Sequence, residues 1–366
     1  MITKKASLPH VIKNIFFKKE EPVSLVHFIT NRCNARCSFC FIDFDDPNTF
    51  KGELSLDEID RLTKTLGKSL LNVNLTGGEP FARKEIVDIA KLYIKNTSIQ
   101  SIYITTNGSL PDRAEHFAKT IINFDKDIEL TFQISIDDMP QEHDRVRKVE
   151  NLFENCLSTY RKLKNINQRV SPVVSITVTH ENCENIEKIF NYLTEECGID
   201  SLKCTIVRDE GVYKTPLEKK KKIFDSYSWL TEKIKEYSKE NKIKNYNSKS
   251  IQGKLHKKKD EISWELTKKM YMNPRYISPC HAGSLFGIIT AAGLVYPCEI
   301  LEDKLLGDLR QNDMNFGKIW KNQTTKDAKK FIKESKCNCS YECALTYNIL
   351  GNWRYQPSLI SSFFSR

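Results

Sequence analysis

Two periodicities alternate along the chain. Apolar, β-branched runs of strand length cover Val23–Thr30, Asn72–Thr76, Ser101–Thr106, Ile128–Ile136, Val173–Thr179 and Ser201–Val207. Between them, apolar residues recur at helical spacing over Ser55–Leu66, Arg83–Lys95, Asp112–Phe124, Val149–Lys164 and Cys183–Cys197. Ser55 with Glu58 three residues on has the spacing of a capping box, and Gly198 stands where the last of these helices must stop. Six strand–helix units imply a parallel sheet, because only a crossover connection joins parallel neighbours. Right-handed crossovers curl such a sheet. The expected fold class is α/β: a partial (β/α)6 TIM-type barrel over residues 22–210, with its active site at the C-terminal ends of the strands.

The flanks are patterned differently. Residues 1–21 place Val11, Ile12, Ile15, Phe16 and Phe17 among lysines, a short amphipathic segment suited to packing across the bottom of a barrel; a membrane-surface anchor is the alternative. Residues 211–275 read as a lysine-rich helical connector with Trp229, Leu230, Ile234 and Tyr237 as its buried stripe. Residues 276–366 read as a small cysteine-rich α+β module. Leu285–Thr290 and Gly293–Tyr296 form its hairpin, and Ala291-Ala292-Gly293 its turn.

Composition narrows the classes. The 366 residues suit a catalytic domain plus a second module. No apolar run approaches the roughly 20 residues that cross a bilayer, and the start MITKKASLPH lacks the plan of a secretory signal. Twelve cysteines without an export signal argue for metal ligation in the reducing cytoplasm rather than for disulfides. The net charge of +10 is concentrated in residues 211–260, with fifteen Lys against six Asp and Glu. Such a segment suits nucleic acid, an anionic membrane or an acidic electron donor; a solvated helix face is the ordinary reading.

Cysteine spacing changes the picture most. Directly after the first strand, Cys33, Cys37 and Cys40 fall within eight residues and cannot all pair as disulfides. Zinc takes a fourth nearby Cys or His, and the next histidine along the chain is His116. An iron–sulfur cluster with one iron left open needs only these three thiols. After the second strand, Gly77-Gly78-Glu79-Pro80 offers backbone that approaches a ligand closely and a carboxylate suited to an ammonium group.

Together these two stretches resemble the signature of the radical S-adenosylmethionine (SAM) enzymes. The resemblance implies a [4Fe–4S] cluster on Cys33, Cys37 and Cys40 whose open iron is chelated by SAM. It assigns Gly77, Gly78 and Glu79 to the methionine amino group, Pro80 to the turn, and Phe39 to the adenine. Ser135 and Asp137 end the fourth strand at alternate positions, suited to ribose hydroxyls or the SAM carboxylate. Thr179 and Arg208 are candidates for adenine and carboxylate contacts, and Asn107 for a further cofactor contact. A plain turn at Asn107, strand-end solvation at Ser135 and Asp137, and an anionic substrate or Asp209 as partner of Arg208 stay open.

Cys280, Gly293, Cys298 and then Cys337, Cys339 and Cys343 resemble the auxiliary-cluster extension called SPASM, or its shorter form, twitch. The first half fits, but the second has three close thiols where SPASM has four at wider spacing. Five thiols imply one auxiliary [4Fe–4S] cluster on Cys280, Cys298 and two of the last three; zinc on the same thiols stays open. Cys156, Cys183, Cys197 and Cys204 read as core or surface residues without redox work, and His281 as a surface residue, with a contact that tunes the auxiliary cluster as the alternative.

The expected activity is cleavage of SAM to a 5′-deoxyadenosyl radical, which abstracts hydrogen from a peptide or small polar metabolite. A flavodoxin- or ferredoxin-type reductant would supply the electron. A dehydrogenase or epimerase of a sugar-like metabolite is the rival within the class. Outside it stand a non-catalytic iron–sulfur protein and a nucleic-acid modifier, for which no recognised RNA-binding motif is present.

Overall fold

The computed structural model describes residues 7–208, 214–245 and 251–364. After α1 (Leu8–Lys13), strands and helices alternate: β1 (Ser24–Thr30), α2 (Leu56–Thr63), β2 (Asn72–Gly77), α3 (Ile86–Asn96), β3 (Ser101–Thr106) and α4 (Pro111–Phe124). They continue with β4 (Glu129–Ser135), α5 (Pro140–Arg147), α6 (Leu152–Lys164), β5 (Val170–Val178), α7 (Ile186–Asn191) and β6 (Leu202–Ile206). Two long helices follow, α8 (Lys220–Lys239) and α9 (Ile251–Met272). The C-terminal part holds β7 (Phe286–Ile289), β8 (Leu294–Tyr296), β9 (Gly307–Asp308), α10 (Phe316–Lys321), α11 (Gln323–Glu334), α12 (Glu342–Leu350) and α13 (Gln356–Phe364).

All six expected strands form, in the parallel order β6-β5-β4-β3-β2-β1. Beyond β1 the sheet continues through β7, parallel to β1, and then through antiparallel β8 and β9. The cysteine-rich part is therefore hydrogen-bonded onto the edge of the barrel sheet. Ser55 closes the expected capping box with Glu58. The last expected barrel helix is shorter than its pattern: regular α-structure stops at Asn191 and Tyr192–Glu196 widens into a π-turn. In the connector, Leu230 and Ile234 are fully buried, with Trp229 and Tyr237 packed against the same core. No described helix is long and apolar enough to cross a membrane.

The strands have two different faces. Their outward residues (Val73, Leu75, Ile102, Ile104, Leu130, Phe132 and Ile134) are completely buried against the helices. The inward residues of β2, β3, β4 and β6 are polar and part-exposed, among them Asn74, Tyr103, Gln133 and Lys203. Lys203 of β6 lies 5.9 Å over the ring of Tyr103 on β3. Three strand spacings would separate those strands by about 14 Å in a flat sheet, and curling brings the two side chains together. Along β2, β3, β4 and β6 the inside of the curl is a polar, solvent-reached lumen, whereas on β1 it is apolar, with Val26 and Phe28 packed against Ile288 and Tyr296.

His27 on β1 is completely buried, with Nδ1 2.9 Å from the Tyr93 hydroxyl. Burial, and then the nearby charge of Arg83, push its pKa down to about 3. A depressed histidine contributes stability that is complete above its unfolded pKa of about 6.5 and lost as pH falls toward the folded value. Urea midpoints should therefore fall between pH 6.5 and 4, with His27 alone contributing a slope of up to about 1.4 kcal/mol per pH unit. Buried His143 adds in the same direction. His27→Phe should flatten that slope; an unchanged slope would exclude His27 as a source of it.

Candidate functional site

Residues 31–55 leave the C-terminal end of β1 and run without helix or strand to α2. A loop this long inside a compact domain is usually functional. Its ends are held: Arg83, almost fully buried, donates to the carbonyls of Ile29 and Leu54, one at each end. Thr30 Oγ1 donates to Glu53 (2.6 Å), and Asn31 Nδ2 donates to the Thr49 carbonyl (2.7 Å).

Cys33, Cys37 and Cys40 lie on this loop, each partly exposed. Burial pushes all three thiols up, Cys40 to about 11, and each lies within electrostatic reach of another of the three. Two N–H donors face them: Asn107 Nδ2 is 3.7 Å from Cys33 Sγ, and Arg147 NH1 is 3.7 Å from Cys37 Sγ. Among the described residues no three His, Cys, Asp or Glu groups converge tightly enough for one metal ion. The loop offers soft sulfur donors, polarised by N–H groups and open on one side, and this donor set fits an iron–sulfur cluster.

The second signature packs directly onto that loop. A Cβ at Gly77 would stand 1.9 Å from the Thr30 carbonyl oxygen, and one at Gly78 2.4 Å from that of Arg32. Gly77 also has φ +147°. Only glycine permits this backbone-to-backbone approach. Glu79, completely buried, accepts from Phe81 N (3.0 Å), Thr106 Oγ1 (2.8 Å) and Asn107 N (2.7 Å). Burial pushes its carboxyl up to about 7, against the pull of those hydrogen bonds. Pro80 starts a short 3-10 turn.

The remaining expected residues fall into two groups. Phe39, Asn107, Ser135, Asp137 and Thr179 lie on the loops and strand ends around the cysteines. Phe39 has the Arg147 guanidinium 5.5 Å over its ring. Asn107 also donates to Asn34 Oδ1 (2.9 Å). Ser135 ends β4 facing the lumen. Asp137 is buried, with Oδ2 accepting from Arg147 Nε (2.9 Å) and Oδ1 from Thr177 N (2.8 Å). Thr179 is buried in a turn closed by Asn182, whose amide also donates to the Asp137 carbonyl (2.8 Å).

Arg208 stands apart from that group. It pairs with Glu299 (2.9 Å) and lies over the rings of Tyr341 (4.6 Å) and Phe41 (5.6 Å), bridging the cysteine loop to the C-terminal part. Asp209, the other neighbour considered for it, lies outside the described residues.

Cys280, Cys298, Cys337, Cys339 and Cys343 gather in one small apolar cluster with Phe286, Tyr341 and Tyr347. A hydrogen bond from Cys280 to Cys337 holds the Cys337 thiol down and Cys280 up. His281 is not at the surface: it is 8% exposed, its backbone N–H bonded to Asn348 Oδ1 (2.7 Å) and its Nε2 3.2 Å from the Gly351 carbonyl. Arg147, Arg83 and Asn182 escaped the sequence reading. Each makes at least one contact to a distant strand–loop unit (Arg147 to Cys37, Arg83 to Ile29 and Leu54, Asn182 to Asp137), which no local spacing marks.

Comparison with known proteins agrees with this geometry. Residues 28–193 match the family model described as the Radical SAM superfamily. Over 83 residues, 22% of this chain, the sequence is 45% identical to a GTP 3′,8-cyclase of Cronobacter sakazakii, covering 25% of that protein. Over 184 residues, 50% of this chain, it is 32% identical to an Fe-coproporphyrin III synthase of Methanosarcina barkeri, covering 43% of it. The chain thus aligns with less than half the length of these curated relatives. Among solved structures, the one titled native anSMEcpe with bound AdoMet superposes with a TM-score of 0.61 at 18% identity, over 94% of this chain and 97% of that one. Streptococcus suis SuiB bound to S-adenosylmethionine superposes with a TM-score of 0.57 at 15% identity, over 88% of this chain and 71% of that one. At these identities the two structures speak for the fold alone.

Proposed function

From the match of residues 28–193 to the Radical SAM superfamily model, we infer an enzyme that makes a 5′-deoxyadenosyl radical and uses it on a polar substrate held in the barrel lumen. The observation that carries this reading is the meeting of three loop thiols, two N–H donors and the Gly77–Gly78 backbone at the C-terminal ends of the strands. When bound, the cluster and SAM supply reductive cleavage of the sulfonium bond, giving methionine and the radical.

The chain's own residues do the rest. Cys33, Cys37 and Cys40 would hold the cluster. Asn107 and Arg147 donate toward two of its sulfurs and spread the thiolate charge. Asp137 fixes the guanidinium of Arg147. Gly77 and Gly78 let the turn after β2 press against the Thr30–Arg32 backbone and so seat it beside the cysteine loop. The partly exposed lumen, lined by Asn74, Gln133 and Ser135, favours a peptide or small polar metabolite over an apolar one.

The second half of the reading is an auxiliary [4Fe–4S] cluster on Cys280, Cys298 and two of Cys337, Cys339 and Cys343. It is supported by the gathering of the five thiols in one apolar pocket. Arg208, paired with Glu299 beside Cys298, would hold the two cysteine regions at fixed separation. A small acidic protein of flavodoxin or ferredoxin type would be the electron donor.

Anaerobic reconstitution with iron and sulfide tests both halves. Wild type should carry about eight irons and form 5′-deoxyadenosine with dithionite, and Cys280→Ala/Cys298→Ala should keep about four. About four irons in both proteins would refute the auxiliary cluster. No 5′-deoxyadenosine from a fully loaded wild type would refute the radical reading and leave an electron carrier.

A further inference from the structure

Lys203 is a cation in an unusual place. It belongs to a strand whose other face is sealed against helices, and its side chain reaches across the lumen to Tyr103. Among the described residues no hydrogen bond or ion pair engages its ammonium group, and none engages the Tyr103 hydroxyl. Burying a charge without a partner is costly, so proteins that keep one commonly use it. Two carboxyl groups lie in its wider surroundings and help to hold its charge, but neither stands within ion-pair distance of it. Asp260 of α9 is already paired with Lys259. Glu342 of α12 accepts from the Tyr227 hydroxyl (3.2 Å).

Other inward positions of β4, β5 and β6 carry neutral polar groups that satisfy one another. Gln133 donates to Ser175 (3.1 Å), and Thr205 to Thr177 (3.4 Å). On this side the lumen has a neutral hydrogen-bonding wall with the Lys203 ammonium set into it. We propose that Lys203 and Tyr103 form an anion-binding site in the lumen, which anchors a carboxylate or phosphate group of the substrate. The ammonium supplies the charge and the phenol a directed O–H donor. The reacting part of the substrate would then extend toward the cysteine loop at the strand ends. This rests on the reading above that the lumen holds the substrate.

Inorganic phosphate and acetate are the probes, each titrated calorimetrically into the reconstituted full chain in a chloride background. At least one should bind saturably at one site per chain. Lys203→Met should weaken that binding about tenfold or more, the effect of losing one charged hydrogen bond. Lys203→Arg should keep it within about threefold, because the charge stays. Tyr103→Phe should weaken it by a smaller factor, since only the O–H donor is lost. If Lys203→Met does not fold, Lys203→Gln takes its place in the titration. Binding of phosphate alone assigns a phosphorylated substrate; binding of acetate, with or without phosphate, assigns a carboxylate.

Equal affinity in wild type and the uncharged variants, or saturable binding of neither anion, overturns the proposal. Measuring 5′-deoxyadenosine on the same preparations separates this result from the radical reading. Lys203-dependent anion binding without 5′-deoxyadenosine formation would sink only the latter.

Discussion

Replacing Cys33, Cys37 and Cys40 together with alanine is expected to remove about four irons per chain and all formation of 5′-deoxyadenosine. The effect is that large because the loop has no substitute ligands. His116 sits on α4, and the thiols of Cys156, Cys183 and Cys204 are buried in the barrel core. The fold should survive the change. All three residues are part-exposed, and the core is built from the outward faces of the strands and their helices, none of which uses these thiols. The variant should therefore show the far-ultraviolet circular dichroism and urea midpoint of the metal-free wild type while its cluster absorbance is gone. Retention of the full iron content would place the cluster on other cysteines and end the assignment of this loop.

The second large effect is expected at Asp137. Its carboxylate holds Arg147 through Nε, and both side chains are buried, at 5% and 7% exposure. The pair does more than neutralise itself. Asp137 also takes the Thr177 N–H, and the Arg147 carbonyl accepts from Arg36 N (3.0 Å) in the cysteine loop. Removing one partner of a buried pair strands the other charge, which costs about 3–5 kcal/mol. Asp137→Ala should lower stability by about that much in urea unfolding of the metal-free chain. In the reconstituted protein it should also broaden or shift the cluster's electron paramagnetic resonance signal, because the guanidinium beside Cys37 is no longer fixed.

Arg147→Lys should not restore the wild-type signal. A lysine cannot reach Asp137 and Cys37 with separate N–H groups in a fixed plane. The Arg208–Glu299 pair is more exposed, at 27% and 15%, so its loss should cost much less. An Asp137→Ala protein as stable as wild type, with an unchanged spectrum, would show that the pair merely fills space.

How much of this was legible in the sequence depends on the range of the interactions. The strands were readable because each carries its own apolar pattern. The Cys33-to-Cys40 loop and the Gly77–Pro80 turn were readable because their chemistry is written in consecutive residues. The capping box at Ser55 is equally local. Arg147 was not readable: the sequence around it shows only an ordinary polar helix, and its partners lie ten residues back and 110 residues back. His281 was misplaced at the surface because Asn348 and Gly351, about seventy positions on, are what enclose it. Arg208 was expected among the cofactor contacts from its place after β6. Its pairing with Glu299, ninety-one residues later, could not be read there, because it depends on the C-terminal part folding back against that strand end. Lys203 carries no local signal at all, since an inward lysine in a strand reads as an exposed one.

The cysteine loop is braced at its base by protein alone. Arg83 fastens Ile29 to Leu54 with groups that belong wholly to the polypeptide. The loop is closed at its base whether or not anything sits at its tip. Metal would then arrive on a finished scaffold, as the final step of biogenesis rather than its nucleus. Oxygen damage that strips the cluster should leave a chain that needs re-metallation and not refolding. A molecule braced in this way would be emptied and refilled without unfolding, with the lifetime of the protein set apart from that of any inorganic centre it holds.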